Sequence, residues 1–524
     1  MKFNKQLVII DTEKDLKKKF SDSDIVFWKN NKSVGKDNKE IEISLKGNTF
    51  LKNQKYILCK ELNIYYNRLQ KKFPNKNLHH LEVFNIRNDK IRIYDKIIFF
   101  SLIKKLISKK RYKKILIFSD DDSYVDFYRS LCRRNNESLE IIFSNSRRKK
   151  INYKFQTFLF ILRVLLITIY AKIFFKNKLE NSYENCCLSL YPNFYKKRDE
   201  NFFKQKYLKL NFIISDEVVN NSSFRQKILY IKELQNQRDI IIAEKFILLK
   251  DIVSKFFKIN NLSKEIRKID EEKIFFNNLD LSNVINEYTK MSIYNAFKFE
   301  IYNNSLLKPF VKYRIKKFHY YMFEYNFGFF LTTYLRKKFR EIDLIGYQHG
   351  IFSEKVMWMY LFQKNKIKKL LSPNKIIVKY KSSISAYKKF FSSKIQFKKD
   401  KSRNNLYFLF KKKKSKKKDI LVILGLHDEQ QMLDQLQRIN YHNKNLKFYL
   451  KFHPKSKKKE ITKYGEFNVI NLKNNIKFDY MILSQTSSLI YNFAKMKDRF
   501  YILRINTISN LLPKEIEKKI KYFK

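Results

Sequence analysis

Four polar clusters combine residue types that do chemistry, and each follows a short apolar run: Asp120-Asp121-Asp122, Gln348-His349-Gly350, His453-Pro454-Lys455, and Ser484 with Thr486-Ser487-Ser488. Proline halts a strand and fixes the turn, so the His453 imidazole is aimed off a strand end. There it can donate to a phosphate oxygen or exchange a proton near neutral pH, with Lys451 and Lys455 adding positive charge suited to a diphosphate. The plain alternative is an exposed histidine in a Lys-rich loop. Hydroxyls in the 484–488 segment can cap a following helix, and the free N–H groups and dipole of a helix start favour a phosphate. Plain capping is compatible with that role. Gly346 and Gly350 bracket Tyr347-Gln348-His349 in a chain with only 7 glycines, which implies a strand-end turn that larger residues cannot follow. The triple aspartate has the i, i+2 carboxylate spacing that suits Mg²⁺ or Mn²⁺, although such a run also serves as a solvated turn or helix cap.

The surrounding pattern must position these clusters. Apolar runs at 6–12 and 114–119, with an amphipathic helix around 94–108 between them, predict α/β layering on a parallel sheet. Residues 157–175 form the most hydrophobic segment, close to the roughly 20 residues that span a bilayer. Arg163 and Lys172 interrupt it, and three readings stay open: an interfacial or re-entrant membrane helix, a buried core helix, or a spanning helix. Residues 215–340 read as mainly helical with a break at Pro309, followed by strands at 342–350 and 374–380. The basic stretch 411–418 reads as a solvated junction. Beyond it, strands at 419–426, 447–454, 467–470, 479–484 and 499–504 alternate with helices from 428 and 486, and an amphipathic helix is expected at 511–523. No internal repeat is legible.

Composition removes several classes. With 524 residues and 44% hydrophobic content the chain can bury large cores, and 7 Gly and 6 Pro exclude collagen-like and Pro-rich architectures. Neither GxGxxG nor GxxxxGK[ST] occurs, which argues against a classical dinucleotide enzyme or P-loop NTPase. The net charge of +62 runs the whole length of the chain, alongside abundant Asn, Ile, Phe and Tyr, all with A/T-rich codons. No nucleic-acid recognition module is legible, and the charge suits anionic membranes and anionic substrates instead. Cysteines number 4, without CxxC, and no HExxH occurs; a reduced cytoplasmic setting without a zinc site is expected. The N-terminus reads as a first strand and not as a signal peptide.

The order GYQHG (346–350 for its glycines), then KFHPKS, then SQTSS before a helix resembles bacterial surface-polysaccharide transferases, the superfamily of capsule Kdo transferases, polysialyltransferases and CDP-glycerol glycerophosphotransferases. Residues 320–350 resemble the surface carbohydrate biosynthesis proteins of O-antigen-type clusters, with Glu324, Asn326, Gly346, Gln348 and His349 at the matching positions. The resemblance covers about residues 320–505. It implies an α/β, GT-B-like fold: two Rossmann-like domains facing a cleft, with a large helical insertion in the N-terminal half. The expected parts are a Rossmann-like region at 1–150, a helical region at 151–340, the end of the N-terminal domain at 341–404, a nucleotide-binding domain at 405–505 and a C-terminal helix at 506–524. The implied activity moves a sugar from a nucleotide-activated donor to a lipid-linked glycan at the cytoplasmic side of the inner membrane. His453, Lys451, Ser487, Ser488, Thr486 and Gln348 would bind the donor; His349, Glu324 and Asp121 are the catalytic candidates. No cofactor, resident metal or nucleic-acid partner is expected. Alternatives are a polyol-phosphate transferase, a metal-dependent transferase using Asp120 and Asp122, and a non-catalytic basic assembly or nucleic-acid-binding protein.

Overall fold

The computed structural model describes residues 6–27, 39–40, 48–84, 93–143, 152–189, 207–213, 223–322, 326–348, 352, 372–399, 418–425, 429–452, 467–470, 477–490, 499–503 and 512–523, apart from positions 13–15, 17–19, 21–22, 75, 77, 111, 121, 133–137, 177–178, 181, 379–380, 392–394, 443–444, 486 and 488. Among the described residues the chain builds three parallel sheets and one short hairpin.

The first sheet contains β1 (Gln6–Asp11), β2 (Ser23–Phe27), β3 (Lys39–Glu40), β4 (Lys114–Ser119) and β5 (Ser138–Phe143), in the order β3-β2-β1-β4-β5. Helices α1 (Asn48–Lys72), α2 (Ile93–Lys110) and α3 (Val125–Cys132) complete this region. The central strands β1 and β4 are buried along nearly their whole length, as strands covered on both faces must be. Leu7 and Ile9 enter one core while Val8 and Ile10 enter another on the opposite face, the period-2 alternation of a pleated strand.

After α4 (Tyr153–Phe174) the second sheet begins with β6 (Asn185–Ser189), β7 (Tyr207–Asn211), α5 (Phe224–Gln235) and β8 (Ile240–Ile242). Then come α6 (Leu249–Ile266), the hairpin β9 (Phe275–Phe276) and β10 (Leu279–Asp280), α7 (Ser282–Phe299), α8 (Asn303–Lys312), β11 (Lys317–Met322), α9 (Asn326–Lys338), β12 (Asp343–Gln348), β13 (Lys375–Val378), α10 (Lys381–Phe390) and β14 (Gln396–Lys399). The sheet order is β14-β13-β12-β11-β6-β7-β8. Strands β8 to β11 therefore run through residues that read as mainly helical. Their signal is weak because polar residues interrupt β11, which reads KFHYYM, and because β8, β9 and β10 are only two or three residues long. Pro309 does not break the chain but lies inside α8.

The third sheet holds β15 (Lys418–Ile423), α11 (Glu429–His442), β16 (Leu446–Lys451), β17 (Asn468–Val469), β18 (Tyr480–Leu483), β19 (Phe500–Leu503), the short α12 (Lys514–Glu517) and β20 (Lys521–Phe523), in the order β17-β16-β15-β18-β19-β20. The expected long terminal helix is a correction: it shrinks to α12, and the chain then pairs as a parallel edge strand with β19. Ile520 and Tyr522 alternate with Lys519 and Lys521, a strand period that competes with the helical one.

Within each sheet, ranked by chain position, the first strand is flanked by the second on one side and the fourth on the other. The first and second sheets share one contiguous hydrophobic core. Polar residues of α7 bolt them together: Tyr65 donates to Asn286 Oδ1 at 2.9 Å and to Thr289 at 3.1 Å, and the Val83 N–H donates to Ser292 Oγ at 3.0 Å.

The fold buries one histidine in the second sheet. His319 on β11 lies 3.2 Å from Tyr347 Oη through Nδ1 and 3.2 Å from Asn185 Oδ1 through Nε2, an arrangement that suits neutral imidazole with the proton on Nε2. Burial, with Lys317 as the lesser cause, pushes its pKa down to about 4. The unfolded chain, with histidine near 6.5, then binds more protons between about pH 6.5 and 4, so stability falls as pH drops through that window. We expect His319→Gln to lose less stability than wild type between pH 7 and pH 4.5 in urea titrations. Equal losses would refute a buried neutral imidazole.

Candidate functional site

In open α/β sheets, ligands settle beyond the carboxyl ends of the strands, where the strand order reverses. In the third sheet the reversal lies between β15 and β18. Ile423 of β15 is in register with Lys451 of β16 on one side and Leu483 of β18 on the other. The ladder continues one step past the strands: the Leu424 N–H donates to the Lys451 carbonyl at 3.0 Å and the Ser484 N–H to the Ile423 carbonyl at 3.1 Å. All three chains therefore leave the sheet at one level. Two strand spacings separate β16 from β18, about 10 Å.

Of the expected donor-binding residues, Lys451 is the half-buried last residue of β16 and Ser487 is half-buried beyond β18. The Ser487 hydroxyl accepts the Leu489 N–H at 3.3 Å, and the Ser487 N–H donates to the Ser484 carbonyl at 3.1 Å. Its side chain thus caps a turn, as its residue type predicts. Ser484 and Gln485 are buried beside it. His453, Thr486 and Ser488 lie outside the described residues. The level exit also brings in Gly425, two residues past the end of β15, a position that sequence reasoning did not single out; only the strand order reveals that β15 is central.

In the second sheet the reversal lies between β6 and β11. Met322, which ends β11, is in register with Gln348, which ends β12. Gln348 is buried, and its amide nitrogen donates at 2.9 Å to Ser383 Oγ on α10, which in turn donates to the Phe352 carbonyl at 3.3 Å. These bonds tie the chain after β12 to α10. Glu324, His349 and Gly350 lie outside the described residues. At the same edge, Asn211 ends β7 with both amide atoms buried and, among the described residues, without a hydrogen-bond partner.

The first sheet holds a cluster whose members sequence reasoning did not connect. Its reversal lies between β1 and β4, which end in register at Asp11 and Ser119. The buried Asp11 Oδ2 receives Lys96 Nζ at 2.5 Å, the Tyr128 hydroxyl at 2.5 Å and Ser119 Oγ at 3.2 Å. Lys96 Nζ also stands 3.5 Å from the centre of the Tyr124 ring, a cation–π contact made stronger by exclusion of water. Burial, then the Asp11 carboxylate, holds the Tyr128 hydroxyl well above the usual tyrosine range. Across the reversal, Thr12 Oγ1 donates to Asp120 Oδ1 at 2.5 Å. Asp122 is exposed at the start of a short 3₁₀ turn, and Asp121 lies outside the described residues. Among the described residues, no group of three or more His, Cys, Asp or Glu side chains is arranged to hold a metal. The Asp-Thr strand end was visible in the sequence; Lys96 and Tyr128 reach it only through the fold.

The sheet order and its carboxyl-edge loops define a parallel α/β protein built from successive sheets with one shared strand order. No protein-family model matches the chain, and no curated protein matches it. Among solved structures, one of the wall teichoic acid polymerase TagF with CDPG is similar to it over 67% of this chain and 78% of that chain, at 11% identity and a TM-score of 0.29.

Removing one member of a buried ion pair strands the other charge in low dielectric, at a cost of about 3–5 kcal/mol. Lys96→Met is therefore expected to destabilise the protein by roughly that amount in denaturant titration. Lys96→Met combined with Asp11→Asn should recover part of the loss. A Lys96→Met protein as stable as wild type would show that the pair holds nothing together.

Proposed function

We propose that the chain is a transferase of surface-polysaccharide assembly, moving a sugar from a nucleotide-activated donor onto a lipid-linked glycan. The observation that carries this reading is the third sheet, with its reversal between β15 and β18 and the chains after β15, β16 and β18 leaving at one level. In the sequence the His453-Pro454 motif follows β16 and the Ser484–Ser488 motif follows β18, and these two strands flank the central strand β15. A nucleoside diphosphate laid across the end of β15 would meet cationic groups on one side, Lys451 and His453, and hydroxyls and turn N–H groups on the other, Thr486, Ser487 and Ser488. That polarity suits a leaving nucleotide whose charge grows in the transition state. In this reading no divalent metal is needed.

The acceptor hydroxyl would be activated from the second sheet. Glu324 follows β11 by two residues and His349 follows β12 by one, and these strands are neighbours in register at their ends. Glu324 is the candidate general base, with His349 in proton transfer or on the donor phosphate; Asp121, which follows β4, is the alternative base. Gln348, the residue before His349 in the sequence, is tied to Ser383.

Calorimetry with CDP-, CMP-, UDP- and GDP-linked donors should find at least one that binds. His453→Ala and His349→Ala are expected to lower donor turnover by roughly 10²–10³ while leaving the circular dichroism spectrum unchanged. Ser487→Ala should lose turnover similarly and also some stability, about 0.5–2 kcal/mol, because it removes the cap on Leu489. His442→Ala, at the end of α11, serves as the active control. Near-wild-type turnover in His453→Ala would sink the reading.

A further inference from the structure

Helix α4 meets the protein with one face only. Thr157, Ile161, Val164, Ile167, Thr168 and Ala171 are buried, and they belong with or beside the core shared by the first two sheets. The opposite face exposes Phe155 (56%), Phe158 (42%), Leu162 (38%), Leu166 (45%), Ile169 (39%) and Ile173 (57%). Their spacings of three and four residues hold them within about 40° of one line along the helix, at about 100° per residue. The line is about 27 Å long at 1.5 Å per residue. The exposed cations fall outside it. Lys154 and Lys172 lie on one flank and Arg163 on the other, each roughly 80–100° away. Helix α4 contains no Asp or Glu.

Helix α6 packs against α4, with the Phe158 and Phe256 rings 5.2 Å apart. It exposes its own apolar line at four-residue spacing: Leu249 (43%), Val253 (46%) and Phe257 (76%). Lys250 and Lys258 are exposed on the same helix. Apolar side chains scattered singly over a surface need no explanation, but lines of them on adjoining helices mark a surface that something covers.

We infer that α4 and α6 form a platform that lies flat on an anionic lipid bilayer. The apolar line sinks to the acyl boundary, and the flanking Lys154, Lys172 and Arg163 reach sideways to headgroup phosphates. Charge decides the occupant. A second copy of this chain would bring positive rims against positive rims, in a protein of net charge +62. An anionic bilayer covers the apolar line and neutralises the rims together. Packing also settles the orientation: the inner face of α4 is locked into the sheet core, so the helix cannot cross a bilayer without drawing that core into lipid. This inference stands apart from the transferase reading and does not need it.

The test is flotation of the full chain with vesicles of phosphatidylcholine alone or mixed with 30 mol% phosphatidylglycerol. Wild type is expected to float with the anionic vesicles at least tenfold more than with neutral ones. Leu162→Glu combined with Leu166→Glu should reduce that at least tenfold, with an unchanged melting temperature, and Phe257→Glu should reduce it on its own. The milder Leu162→Ser with Leu166→Ser guards against misfolding and should also lose binding. In wild type carrying Ile169→Trp, indole emission at that position should shift to the blue when anionic vesicles are added. Absence of flotation, equal flotation with neutral vesicles, or no shift at position 169 would each overturn the inference. So would a dimer in light scattering that Leu162→Glu with Leu166→Glu dissolves while vesicle binding is absent, which would make this face a contact between copies.

Discussion

A parallel strand cannot return to its neighbour through a tight turn; each pairing requires a crossover of a dozen or more residues across the face of the sheet. Every described pairing in the three large sheets is parallel, and among the described residues only β9 and β10 run antiparallel. The consequences reach every level of this molecule. Crossover segments cover sheet faces, so the central strands become continuous apolar runs such as LVII, ILIF and ILVI. All strands of one sheet end at the same edge, so polar residues far apart in sequence are delivered together. The shared strand order adds a place where successive crossovers leave in opposite directions and the loops part.

The three edges use that place differently. In the first sheet it is closed by a buried carboxylate, ammonium and phenol, and the Asp11–Lys96 pair joins β1 to α2. In the second, Gln348 is committed to α10, while the buried Asn211 amide has no partner among the described residues. In the third, the chains leave level with one another beside turn hydroxyls. His319, buried between Tyr347, Asn185 and Tyr207, is held neutral and serves the packing.

Helix α4 shows how hydropathy and packing divide the work. An apolar run of this length has three physical fates, and composition does not choose among them. Neither full burial nor complete immersion fits a helix with Ile161, Val164 and Ile167 in the core and Leu162, Leu166 and Ile169 in the open. Helices α6 and α7 pack against it, with Phe158 on Phe256 and Tyr153 on Tyr294, and leave the Leu162–Leu166–Ile169 side uncovered among the described residues.

Much of the first and third sheets was legible in the sequence. QLVIID, KILIFS, KDILVI and YMIL are buried on both faces and bounded by polar residues, so local composition alone marks them as parallel strands. The candidate motifs at their ends were legible for the same reason, since a polar residue immediately after such a run sits at the carboxyl edge. The second sheet was not legible at its start, because β6, β7 and β11 carry Asn, Lys and His on one face, and that mixed pattern becomes a strand only when paired. The terminal strand β20 likewise exists only because β19 offers it a ladder. Above all, the partners of Asp11 come from 85 and 117 residues away. No local pattern announces them, because a buried charge chooses its counter-charge by position in space, and only the assembled crossovers create that position.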